Sequence, residues 1–305
     1  MSEVLRAGVI GAGVFGGYHA AKYAAFPGAT LVGVYDHHRE HAEALASRSG
    51  GRAFESEADL LAAVDVVSIA TPALAHAECA LAALECGKSI YVEKPLAVRR
   101  EDAAHILEAA ERQSLVVACG FLERAAFQAM GLFEVPEKPI LLESVRLGPP
   151  SPRNLDVSVV LDLMIHDLDL ALALRPAVVA AVEAEGIVSA HGADAVEAEA
   201  RFEGGFVARF RASRIAETRE RTMRIVYPSG EVRVDFLSHA FENTTPFALN
   251  RDFEDAPQSR DRLGASISAF IAAVRGEGRG PLADGHDGAR ALDLALAVEQ
   301  ALSGG

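Results

Sequence analysis

The chain has 305 residues, half of them hydrophobic, a length that predicts about two domains and a composition that excludes global disorder. Lys and Arg number 29 against 43 Asp and Glu, a formal charge of −14. That balance argues against broad capture of DNA or RNA, which needs a basic footprint, but leaves room for one small anionic ligand held by local groups.

Leu5 to Ile10 is a short apolar run that reads as a first strand, broken by Gly11 to Gly16. An Ala-rich helical stretch follows, to about Ala25. Thr30 to Tyr35 is the next strand and ends at Asp36. Arg39 to Arg48 reads as a helix, Val64 to Ala70 as a strand closed by Thr71-Pro72. His76 to Cys86 is helical, Ser89 to Val92 a strand, Arg100 to Arg112 helical and Leu115 to Cys119 a strand. Short, nearly all-apolar strands separated by helices predict an N-terminal Rossmann domain, a doubly wound parallel α/β sheet, over residues 1–122.

The rhythm changes after Gly120. Ile140 to Arg146 is strand-like, 148–152 is a Pro/Gly loop, and Val157 to Leu174 has helix length. Val178 to Ile187, Ala195 to Phe202 and Phe206 to Arg214 read as strands, with Gly204-Gly205 as a hairpin signal. Arg221 to Tyr227 and Val232 to Phe236 flank a second one, Pro228-Ser229-Gly230. Ser259 to Val274 and Gly285 to Leu302 are terminal helices. Residues 123–305 therefore predict a C-terminal α+β domain with an open, largely antiparallel sheet, serving substrate binding and oligomerisation, with the terminal helices packing back on the first domain.

Three features carry chemistry. The first is Gly11-Ala12-Gly13-Val14-Phe15-Gly16, with a strand before it, a helix after it, and Asp36 following Gly16 by 20 residues. Glycines there permit a tight turn and close approach of a pyrophosphate to a helix N-terminus. A carboxylate at Asp36 takes both ribose hydroxyls and repels a 2′-phosphate, which favours NAD over NADP; His37, His38 and Arg39 soften that discrimination. The competing reading is a glycine turn opening an ordinary α/β domain. The second feature is Glu93-Lys94-Pro95, just past a strand end, on the ligand side of a parallel sheet. Lys94 there can steady a developing alkoxide, or it is an exposed lysine. The third is Asp162 and His166, four apart on an apolar helix and so on one face. A carboxylate beside an imidazole suits a histidine that takes a hydroxyl proton; the alternatives are a capping Asp with a core histidine, or a zinc or iron ligand pair. No further thiol or histidine completes a metal set, so no metal is expected.

Together these motifs resemble the Gfo/Idh/MocA oxidoreductases across nearly the whole chain. The shared features are the GAGVFG loop, Thr71-Pro72, Glu93-Lys94-Pro95, the Asp162/His166 helix and a helix-rich tail. The resemblance implies that Lys94, Asp162 and His166 line the catalytic site beside the nicotinamide. It implies that Gly11, Gly13, Val14, Phe15, Gly16, Asp36, Thr71, Pro72, Glu93 and Lys94 meet the cofactor. It also implies a homo-dimer or homo-tetramer that oxidises or reduces sugars, sugar nucleotides or inositols. Many members carry glycine two residues after the motif aspartate; Met164 stands there and changes the packing near the nicotinamide. Residues 153–167 are similar to those of the UDP-N-acetylglucosamine 3-dehydrogenases within the family. This likeness implies oxidation of that sugar nucleotide to its 3-keto form, with Lys94, Arg146, Arg153 and His166 at the substrate. Arginine's planar fork suits its diphosphate, although both arginines also read as solvent-facing. A free monosaccharide or inositol is the alternative substrate, and a non-catalytic NAD-binding regulatory module the alternative class.

Other features carry less. His37, His38 and His41 read as an exposed surface cluster. Cys79, Cys86 and Cys119 form no CxxC and cannot all pair, which predicts a reducing, cytoplasmic setting. Cys79 and Cys86 are spaced to share a helix face. Arg209, Arg211, Arg214, Arg219, Arg221 and Arg224 read either as a solvated sheet face paired with acids or as a partner contact. Phe202, Phe206, Phe210 and Phe236 suit a sheet face packed in a core or interface. The first residues lack a secretory pattern and no apolar run reaches about 18 residues, so no membrane span is expected.

Overall fold

Short strands of Val, Ile, Ala and Leu have no polar side to give to water, so they pair in parallel beneath helices. The structure, a computed structural model, describes residues 4–151, 156–175, 177–190 and 192–303. In chain order, β1 (Leu5–Ile10), α1 (Val14–Ala25), β2 (Ala29–Tyr35), α2 (Arg39–Ser49), β3 (Arg52–Ala53) and α3 (Glu57–Ala63) are followed by β4 (Val66–Ile69), α4 (His76–Glu85), β5 (Ser89–Val92), α5 (Arg100–Gln113), β6 (Val117–Cys119) and α6 (Glu123–Met130). Next come β7 (Leu141–Leu147), α7 (Ile165–Leu174), β8 (Val179–Ser189), β9 (Gly192–Phe202), β10 (Val207–Ser213), β11 (Glu220–Tyr227), β12 (Gly230–Asp235) and β13 (Phe241–Asn243). The chain closes with α8 (Pro257–Arg260), α9 (Arg262–Val274), β14 (Ala283–Asp284) and α10 (Gly285–Ser303).

The chain forms two compact units. The first runs up to Ala125 and takes in Asp261–Ala289; the second comprises Ala126–Arg260 and the segment from Arg290 onward. In the first unit the strands lie in the order β14-β6-β5-β4-β1-β2-β3, parallel throughout except for β14. This is the doubly wound order, and it reverses direction between β1 and β4. Its core joins Val9, Val34, Val66, Ala20 and Tyr23 to α9 through Ile267, Phe270 and Ile271. The sequence showed one helix from Ser259 to Val274. The structure splits it into α8 and α9, because Asp261 turns out of the helix and caps the next one by accepting from the Gly264 N–H.

The second unit holds the sheet β13-β12-β11-β7-β10-β9-β8, antiparallel except for β7 with β10. Both glycine-marked hairpins are present, β9 to β10 and β11 to β12. Period-two alternation sorts β10: Ala208, Phe210 and Ala212 are buried while Arg209 and Arg211 face out. Phe202, Phe206, Phe210 and Phe236 are all buried, so they pack in a core. The stretch 157–174 is not one regular helix. Val160–Met164 forms a π-turn, in which the Ile165 N–H reaches back five residues to the Val160 carbonyl, and α7 follows. Among the described residues no helix is long and apolar enough to cross a membrane.

Candidate functional site

The carboxyl ends of β1, β2, β4 and β5 converge within the first unit, at the reversal of strand order where such sheets bind ligands. Gly11 ends β1 at φ +96°, and a Cβ there would lie 2.6 Å from the Ala70 carbonyl oxygen. Only glycine takes that turn beside the β4 end. A Cβ on Gly16 would lie 1.8 Å from the Gly11 carbonyl oxygen, so the first turn of α1 packs directly on the loop. Gly13, the N-cap of α1, faces open space, and no side chain caps the helix or places an acid in its first turn. The positive end of α1 therefore stands ready for an anion. Val14 and Phe15 are 52% and 45% exposed, apolar surface beside the same loop.

Asp36 follows β2. Its Oδ2 accepts from the Ala12 N–H at 2.7 Å and its Oδ1 from the His38 N–H at 2.8 Å, which fixes the carboxylate against the glycine loop. These residues fit a dinucleotide: room at Gly13 for the pyrophosphate, and a fixed carboxylate on the adenosine-ribose side. Thr71 is half-buried and Pro72 exposed just past β4, and Lys94 is half-buried past β5 beside buried Glu93. The Lys94–Pro95 peptide is cis. The first unit thus brings together every candidate cofactor residue.

In the second unit, Asp162 lies in the π-turn and His166 in the first turn of α7, both half-buried. Two arginines fix this segment. Arg146 of β7 is 3% exposed and forks onto Asp167, Nε to Oδ2 at 3.0 Å and Nη2 to Oδ1 at 2.8 Å. Arg214 donates to Asp194 at 2.7 Å and to the Val157 carbonyl at 2.7 Å, tying the approach to the π-turn to the sheet. Arg153 lies outside the described residues. His37, His38 and His41 are exposed, and among the described residues no group of His, Cys, Asp and Glu is arranged to hold a metal ion. Cys79 and Cys119 are buried whereas Cys86 is exposed; burial pushes the Cys79 thiol up to about 12, with Glu57 adding to the effect.

The sequence assigned nothing to two buried histidines of the first unit. His19 on α1 and His76 at the start of α4 are 0% and 1% exposed, and both reach the strand ends just described. A signal for His19 was there: it follows Gly16 by three residues and precedes Tyr23 by four, on the buried stripe of a short helix.

A parallel nucleotide-binding unit, an anion-ready glycine loop and a second unit with an aspartate–histidine helix define a dinucleotide-dependent oxidoreductase. Residues 5–121 match the Gfo/Idh/MocA description "Oxidoreductase family, NAD-binding Rossmann fold", and residues 148–233 match the "GFO/IDH/MocA C-terminal domain". The chain belongs to the Gfo/Idh/MocA family of oxidoreductases, and its cofactor is NAD. It is 38% identical to the UDP-N-acetylglucosamine 3-dehydrogenase of Acidithiobacillus ferrooxidans, over 98% of this chain and 97% of that one. A solved structure of that dehydrogenase, GnnA, superposes with a TM-score of 0.91 at 36% identity, covering 99% of both chains. The inositol 2-dehydrogenase of Rubrobacter xylanophilus is 34% identical over 56% of this chain and 52% of its own.

Proposed function

We propose that the chain oxidises UDP-N-acetylglucosamine at a secondary hydroxyl to the 3-keto sugar nucleotide. The observation that carries this reading is the match along 98% of the chain to an enzyme of that name. The match to an inositol dehydrogenase covers 56%, so free polyols are the weaker reading. NAD, when bound, supplies the hydride acceptor. The protein supplies placement and electrostatics. His166 takes the hydroxyl proton, and Asp162 orients the imidazole and stabilises its charged form. Lys94 steadies the oxygen as negative charge develops. Arg146 serves through Asp167, by holding the start of the helix that carries His166. The thiols suit a reducing cytoplasm, and the family resemblance suits a homo-dimer or homo-tetramer.

The test is NADH formation, read by its absorbance, with UDP-N-acetylglucosamine, related sugar nucleotides, free sugars and inositols. The expected result is turnover of UDP-N-acetylglucosamine that collapses in Lys94→Ala and His166→Ala. Turnover confined to inositol or a free monosaccharide would overturn the substrate. Binding of NAD without turnover of any of them would leave a non-catalytic module.

A further inference from the structure

His19 ends a buried hydrogen-bonded chain. Its Nε2 lies 2.8 Å from Glu93 Oε1 and its Nδ1 2.9 Å from Ser68 Oγ, which in turn lies 2.8 Å from Tyr23 Oη. His19, Ser68 and Tyr23 are 0% exposed and Glu93 is 7%. Proton counting gives the chain a direction. An ionised Glu93 only accepts, so His19 Nε2–H donates to it. A neutral ring then accepts at Nδ1 from the Ser68 hydroxyl, and Ser68 accepts from the Tyr23 hydroxyl. Every proton is used. A charged ring would donate to Ser68 instead, and one of the two buried hydroxyls would lose the acceptor it has here, a costly arrangement.

The surroundings agree with an ionised Glu93. Burial works to raise its carboxyl, but the His19 hydrogen bond and the charge of neighbouring Lys94 work against it, and the carboxyl is held below the usual carboxylate range. Tyr91 of β5 sets its ring edge-on to His19 at 5.1 Å. On the far side Gly120 leaves room: a Cβ there would lie 2.8 Å from Glu93 Oε2. Beyond Lys94 the loop is gripped again. His76 places Nδ1 2.6 Å from the Pro95 carbonyl oxygen and Nε2 3.0 Å from that of Thr71. Lys94 therefore stands between two residues that buried imidazoles hold.

We propose that His19 is a positioning residue for Lys94: by holding the Glu93 carboxylate at the end of the Tyr23–Ser68–His19 chain, it sets the place and the electrostatic partner of the lysine. The proposal rests on the reading of Lys94 as a catalytic lysine. Three variants test it. His19→Leu removes the donor, His19→Gln restores an amide N–H near the Nε2 position, and Glu93→Gln removes the charge while leaving His19. Two readouts are taken. Acylation of Lys94 relative to the other lysines, followed by mass spectrometry, needs no turnover. Steady-state kinetics against pH needs turnover.

The expected result is several-fold faster Lys94 acylation in His19→Leu and Glu93→Gln, returning toward wild type in His19→Gln. With turnover, kcat falls about ten- to a hundredfold in His19→Leu while KM for NAD stays within about threefold. The acid limb of its kcat profile moves to higher pH, and His19→Gln recovers both. The groups facing this centre are Glu93, Lys94, His76, Tyr91, Tyr23 and Cys119, and Glu93→Gln identifies the limb that belongs to the carboxylate. Equal Lys94 acylation in wild type and His19→Leu overturns the proposal. So does a His19→Gln variant that falls as far as His19→Leu with an unmoved pH profile, the behaviour of a merely structural residue. If the wild type turns over no sugar substrate while acylation follows the expected order, the dehydrogenase reading fails and the hold on Lys94 stands.

Discussion

Glu93 and Glu199 are the same side chain in opposite surroundings. Glu93 is buried in the first unit, takes one imidazole N–H, and keeps its charge against the pull of burial. Glu199 lies on the outer face of the second sheet and is held low by the Arg209 hydrogen bond and then by Arg201, at 2.8 Å and 2.7 Å. Around it Arg209 reaches Glu143, Arg224 reaches Glu143 and Glu231, and Arg211 reaches Glu197, a cross-strand ladder in water. Both carboxylates stay ionised more readily than a free glutamate. They differ in how firmly they hold their neighbours. Charge in the interior must be met atom by atom and so fixes the position of the groups around it. Charge on the sheet face is screened and has other partners, so it fixes little.

The largest expected effects lie where positioned charge meets the reaction. Lys94→Ala and His166→Ala each lower kcat/KM about a hundred- to ten-thousandfold, read as NADH formation, with NAD affinity nearly kept. Next is the buried ion pair of Arg146 and Asp167. Arg146→Met leaves Asp167 charged and unpaired at 3% exposure, which costs about 3–5 kcal/mol in denaturant unfolding. The double variant Arg146→Met with Asp167→Leu recovers most of that loss, because no buried charge remains. A double variant as unstable as the single one would break the distinction between inner and outer pairs. Asp36→Asn comes third. It weakens NAD binding by about tenfold, since the lost interaction is a hydrogen bond to a charge, and it narrows the preference for NAD over NADP, read by titration with each nucleotide.

Much of the inner arrangement was legible in the sequence, and the parts that were not have a common cause. The glycine loop, Asp36 and the strand-end Glu93-Lys94-Pro95 could be read because strand, turn and helix signals are local. Both hairpins could be read for the same reason. The π-turn at Val160–Met164 was not: its residues are ordinary helix formers, and one extra residue in a turn leaves no mark in composition. The role of Arg146 was hidden too. Its neighbours on β7 gave no hint that the side chain points inward, onto an Asp 21 residues later. His19 was passed over because its partners Ser68 and Glu93 are 49 and 74 residues away, and His76 because one of the two carbonyls it reaches, that of Pro95, is 19 residues away. Cys79 and Cys86 fit one helix face by spacing, yet Cys86 is the capping residue just past the end of α4 and is exposed.

Acid sharpens the comparison further. Glu93 has a folded pKa below its free value, so its ionisation adds stability that is complete above about pH 4.3, the ordinary glutamate value, and is lost as pH falls through the folded value. Glu93→Gln removes that contribution. The variant is expected to start less stable at neutral pH and to lose less than wild type on going below about pH 4, in urea unfolding at a series of pH values. Parallel pH curves for the two proteins would mean that Glu93 is not held ionised by its surroundings.

The smallest effect belongs to the outer ladder, and its smallness is the point. Arg209 touches Glu199 at 2.8 Å, as short as the inner pairs, and Glu143 at 3.3 Å, but its side chain is 55% exposed. Distance alone would rank Arg209 with Arg146. Solvation ranks it far lower, because water replaces the guanidinium when it is removed and Glu199 keeps Arg201. Arg209→Ala should therefore shift the unfolding midpoint barely above measurement error, and adding salt to about 0.5 M should erase the shift. The same salt should leave the loss in Arg146→Met nearly intact, since no counterion reaches a pair that the fold has closed over.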